Sequence, residues 1–131
     1  MGMRCVVLVG LLSGLFCGSA SAQTAKAGAL YSLENGDGRY TVAKVLKVEP
    51  YGVHVRLYAN KFQARPEKVD PASLSLGTVH DKDPGIGHLP VTHKQFQAWH
   101  PVFVTDSPVA EDELEGYREW RSAGGRFWGS K

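Results

Sequence analysis

The chain has 131 residues, with 15 lysines and arginines against 13 aspartates and glutamates, and 43% of it is apolar. Those numbers fit one globular domain and exclude a disordered or collagen-like chain. A formal charge of +2 is too small to make nucleic acid the main partner, because phosphate binding needs a concentrated basic face.

The N-terminal 22 residues read as an export signal. Arg4 gives a basic start, residues 5–17 form an apolar run, and Ala20-Ser21-Ala22 ends the segment before Gln23. A basic start, a short apolar core and an A-x-A end are the marks of a cleaved secretory signal. Thirteen residues fall short of the roughly 20 needed to span a bilayer, so no membrane span is expected in the mature chain. Lipid attachment at Cys17 is disfavoured by the bulky Phe16 before it, and cleavage after Ala22 is the expectation. Removing 22 of the 131 residues leaves 109, beginning at Gln23. Both cysteines, Cys5 and Cys17, leave with the signal, so the exported domain is expected to have no disulfide, thiolate metal site or cysteine nucleophile. The localisation that follows is periplasmic or extracellular.

Residues 23–29 are small and polar and read as a flexible leader before a single domain over residues 30–131. A short strand at residues 30–33 meets the turn cluster Asn35-Gly36-Asp37-Gly38. Residues 40–49 are rich in Val and Thr, but Lys44 interrupts their period, which implies a bulge near it or a strand apolar on both faces. Pro50-Tyr51-Gly52 makes a turn. Beyond it Val53, Val55, Leu57 and Ala59 alternate with His54, Arg56, Tyr58 and Asn60, the period of a strand. Residues 61–89 look loop-like, with one short strand possible at residues 74–79. Thr92 is suited to cap a short helix carrying Phe96 and Trp99. Residues 102–105 read as a buried strand. Ser107 and Pro108 then open a helix with acidic residues near its start, on which Leu114, Tyr117 and Trp120 share one face, and Gly124-Gly125 ends it. The fold class is mainly β (α+β): a small curved antiparallel sheet or SH3-like barrel with a C-terminal helix.

Two places could carry chemistry. Four of the five histidines and two aspartates lie within residues 80–100, and His80, Asp81, Asp83, His88 and His93 are the residue types that bind zinc or copper. Their spacing matches no established site, and the turn-forming roles of Asp81 and Asp83 before Pro84 explain them equally well. The calcium-loop pattern fails because position 85 is Gly and position 92 is Thr. No nucleophile elbow or phosphate loop is present, so no catalytic residue is assigned.

The second place is the polar side of the second long strand. His54, Arg56 and Tyr58, with Lys61 and Arg65 beyond, would form a shallow aromatic and cationic binding surface, the alternative being a plain solvated outer face of the sheet. The expectation is therefore a secreted, non-catalytic binding module without a cofactor. It would hold a protein or envelope component, and a specific version is an inhibitor or immunity-type protein using residues 81–88. The alternative is a small His-dependent metal-binding protein or metal-dependent hydrolase built on residues 80–93.

Overall fold

The computed structural model describes residues 25–129, so the N-terminal signal assignment lies outside the described residues. Five strands form the body of the domain: β1 (Ala29–Glu34), β2 (Tyr40–Glu49), β3 (Gly52–Phe62), β4 (Ile86–Thr92) and β5 (Val102–Asp106). They lie in one sheet of order β4-β3-β2-β1-β5, and every pairing is antiparallel. The sheet is open, with β4 and β5 at its two edges, so the sheet form of the expected fold holds and the closed barrel does not. Helix α1 (His93–Ala98) follows β4, and α2 (Glu115–Ser122) follows a single 3-10 turn at Glu111–Leu114.

The alternation in β3 creates two unlike faces. Val53 and Val55 join Ala29, Tyr31, Leu33, Ala43, Val45 and Val91 in an apolar core, closed by Phe96 of α1. Tyr31 meets Phe96 and Phe103 edge-on at 5.6 and 5.9 Å, the orientation favoured by aromatic quadrupoles. The opposite face carries Lys44 and His54, both buried, beneath the C-terminal segment. Register shifts at Val42 and Leu46 flank Lys44, and Val42, Ala43, Val45 and Leu46 are all buried. Strand β2 is thus both bulged and covered on its two sides, which accounts for its irregular sequence period.

Several local expectations are corrected. Residues 25–28 are docked rather than free: Gly28 N–H donates to Val45 O at 2.8 Å and Ser107 N–H to Gly28 O at 2.7 Å. Residues 74–79 form no strand, whereas β4 arises within a stretch that read as loop and helix cap. Its Gly87 and Pro90 mask the pattern, and proline is tolerated because only one side of β4 is fully paired. Strand β5 is an edge rather than a buried strand, with Val102 and Phe103 46% and 39% exposed. The last helix begins at Glu115 instead of Pro108: residues 107–110 are not helical, and Pro108 O accepts a hydrogen bond from Lys44.

The helix caps follow their sequence signals. Thr92 Oγ1 accepts from Gln95 N–H at 3.1 Å, satisfying a free donor of α1. At the end of α2, Gly124 has φ +73°. Gly124 and Gly125 N–H donate to Arg121 O and Trp120 O at 3.2 and 2.9 Å, a paired closure that needs a left-handed residue. No helix among the described residues is long and apolar enough to cross a membrane.

Candidate functional site

The far end of β3, the turn after β1 and the loop before β4 enclose a cleft of about 420 Å3. Strand β3 contributes Leu57, Tyr58 and Lys61; the end of β1 and its turn contribute Glu34 and Asp37; the loop contributes Lys82 and Asp83 and the start of β4 Ile86, with Trp99 also on the wall. The loop is fixed against β3 by backbone bonds, Ala59 N–H to Ser75 O at 2.7 Å and Gly85 N–H to Leu76 O at 2.7 Å. Asn60 adds two more, accepting from Ser75 N–H at 2.9 Å and donating to Ser73 O at 3.1 Å. Asp81 accepts from Thr78 N–H at 2.6 Å, the aspartate-capped turn its position suggests. The cleft is therefore walled by held backbone, which lowers the ordering cost of binding.

Its charges are partly committed within the fold. Glu34 is 2.9 Å from His100 Nδ1 and 3.4 Å from Arg65 Nη2. Asp37 accepts from Arg39 Nε and Nη2 at 3.0 and 2.7 Å, and those bonds hold its carboxyl well below the usual carboxylate range. Among the described residues Lys61 Nζ donates to the Ala59 carbonyl, at 3.2 Å. Lys82 and Asp83 make no ion pair among the described residues. Burial pushes the Tyr58 phenol up, helped by Glu113 and opposed by Arg56, so it is a neutral hydroxyl at physiological pH. The cleft thus joins apolar Leu57, Ile86 and Trp99 to a largely polar and charged lining.

The polar residues of β3 do not form one solvent-facing surface. His54 is fully buried, covered by Tyr117, Trp120 and Phe127 with ring centroids at 4.7, 4.5 and 5.2 Å. Arg56 is 3.9 Å from Glu113, and its Nε is buried without a hydrogen-bond partner. Arg65 lies 4.8 Å from the Tyr40 ring centre and donates to Ser32 Oγ, Ser32 O and His100 O at 2.8, 3.1 and 3.2 Å. It clasps β1 to the segment after α1. Of the five expected surface residues, Tyr58 and Lys61 reach the cleft, and the loop brings Asp83 to join them.

The histidines and aspartates expected to bind metal are dispersed. His80 lies on the exposed loop, Asp81 caps a turn and Asp83 lines the cleft. His93 Nε2–H donates to Glu49 O at 2.7 Å. His88 pairs with His54 instead, its Nε2 2.9 Å from His54 Nδ1. Among the described residues no group of three or more His, Cys, Asp or Glu side chains is placed to hold a metal.

One constellation was not anticipated. Glu49 Oε1 is 2.7 Å from His54 Nε2, which extends the histidine pair into a carboxylate–imidazole–imidazole chain. An ionised Glu49 only accepts, so His54 carries its proton on Nε2 and accepts from His88 Nε2–H through Nδ1. Burial lowers the His54 pKa against the pull of Glu49. His88 is pushed down to about 4 by burial and then by His54. Neither residue lines the cleft or the cavity beside the β2–β3 turn, and the chain is read as structural. Gly116 permits it, since a Cβ there would lie 2.7 Å from His88 Cβ. Glu49 gave no sequence signal, being one acid at a strand end. Comparison with family models, curated proteins and solved structures finds no match.

Proposed function

We propose that this chain is an exported, non-catalytic binding module that holds a segment of a protein or envelope component in the cleft between β3 and the loop before β4. The observation that carries this reading is the convergence of Tyr58 and Lys61 from the strand with Lys82 and Asp83 from the loop on one wall-bound cavity. Its volume lies within the range of small binding sites. Apolar Leu57, Ile86 and Trp99 offer contact area, while Lys61, Lys82 and Asp83 offer charge that the fold itself leaves largely uncommitted. The loop of residues 81–88 enters this reading as one wall of a concave site, not as a protruding wedge.

The test is crosslinked affinity capture of the tagged mature chain from its own organism's envelope, beside Lys61→Glu and Asp83→Lys. One dominant partner is expected with the wild-type chain. Both variants are expected to recover it at least about fivefold less well while keeping their melting temperatures, since single charged contacts at a binding site carry about 1 kcal/mol or more. Equal recovery by folded variants would remove the cleft from the account.

A further inference from the structure

A second cavity, of about 950 Å3, lies between the β2–β3 turn, α1 and the C-terminal tail. Its wall includes Pro50, Tyr51, His93, Lys94, Arg126 and Phe127. It differs from the first cleft in the mix of its charges, since the first combines Lys61 and Lys82 with acids and the second has cations alone. The first has Glu34, Asp37 and Asp83 among its lining residues, whereas no Asp or Glu is among the described residues that line the second. Lys94 and Arg126 make no ion pair among the described residues.

The wall is also held in place. The tail runs parallel beside β4, with Thr92 N–H donating to Trp128 O and Trp128 N–H to Pro90 O, each at 2.9 Å. Trp120 Nε1–H donates to Arg126 O at 2.9 Å, which fixes the backbone that carries the guanidinium. Phe127 packs on Trp120 and against Gly52, where a Cβ would lie 2.6 Å from its ring. His93 is tied to Glu49 O. Tyr51 sits in the two-residue connection of β2 to β3 and is 79% exposed, an aromatic face that the fold leaves uncovered.

From this we infer that the cavity is a binding site for a small organic anion, a carboxylate or phosphate ester carried on an aromatic or aliphatic body. Lys94 and Arg126 supply the charge, and a guanidinium matches the paired oxygens of either group. Tyr51, Pro50 and Phe127 supply contact for the body. The site is separate from the cleft of the proposed function, and its success or failure leaves that reading untouched.

The test titrates the isotopically labelled mature chain with phenyl phosphate, with phenylacetate, and with phenol as the neutral comparison, following backbone amide shifts. Saturable shifts at His93, Lys94, Arg126 and Phe127 are expected with one or both anions below about 10 mM, with phenol at least about tenfold weaker. Lys94→Ala combined with Arg126→Ala should weaken anion binding at least about tenfold. Both side chains are exposed, so the variant is expected to fold, and its dispersed spectrum checks this. Lys68→Ala, an exposed cation elsewhere, should bind as wild type. Tyr51→Ala should weaken phenyl phosphate more than inorganic phosphate. Absence of saturable shifts with both anions, equal binding of phenol, or unchanged binding by the folded double variant would each overturn the site.

Discussion

A lysine only 4% exposed in the middle of a strand persists because every part of it is answered. Lys44 Nζ donates to Glu113 Oε1 at 2.8 Å and to Pro108 O at 2.7 Å. Burial pushes the Glu113 carboxyl up, but hydrogen bonds from Ala110 N–H and Lys44, with the charges of Lys44 and Arg56, outweigh it and hold the group ionised. A buried pair contributes little net stability, yet removing one partner strands the other charge at a cost of about 3 to 5 kcal/mol. Glu113→Ala is therefore expected to destabilise the domain by about that amount, read by urea denaturation. Lys44→Met added to it should recover a large part of the loss, because no buried ammonium then remains. A double variant as unstable as the two single losses combined would show that the pair acts through packing alone.

At the level of elements, α2 and the tail are fastened to the sheet around the Glu49–His54–His88 chain. The groups facing it are Glu49 and Lys47 from β2 and Tyr117 from α2. Lys47 Nζ lies 5.2 Å from the Tyr117 ring centre, and the Tyr117 hydroxyl is 3.5 Å from Glu49 Oε2 and 3.1 Å from Arg121 Nη1. Both histidines have folded pKa values below the unfolded value near 6.5, His88 at about 4. Between those limits the unfolded chain binds more protons, so stability falls as pH falls. At about 1.4 kcal/mol per unit, His88 alone accounts for a loss on the order of 2 to 3 kcal/mol by pH 4, shared with His54 as a coupled pair. His88→Gln should flatten the difference in unfolding free energy between pH 7 and pH 5; an unchanged difference would assign the acid sensitivity elsewhere. The β2–β3 hairpin, the Thr92 cap and the pairing of Tyr117 with Trp120 on the last helix were legible because each rests on local spacing. The chain of Glu49, His54 and His88 was not, because period two says which residues share a face and is silent on what covers it. Strand β4 was hidden for a related reason: Gly87, His88 and Pro90 carry little strand propensity, and the ladder to β3, with a single bridge to Trp128, supplies the pairing that propensity does not.

Across the whole molecule, an open sheet with both faces covered puts the cleft and the anion cavity at opposite ends of β3. The cleft lies by Tyr58 and Lys61, and the second cavity lies by the turn before Gly52. The covered polar face accounts for the loss of His54 and Arg56 from the expected surface, and the loop held against β3 accounts for the gain of Lys82 and Asp83. The central claim is that this cleft is where a partner is held. Photo-crosslinking from residue 82, with residue 68 as the comparison position, tests it most directly on the chain expressed in its own organism. A defined adduct formed from position 82 and suppressed by Lys61→Glu is the result the account predicts. Adducts formed equally from both positions, or unaffected by Lys61→Glu, would contradict it.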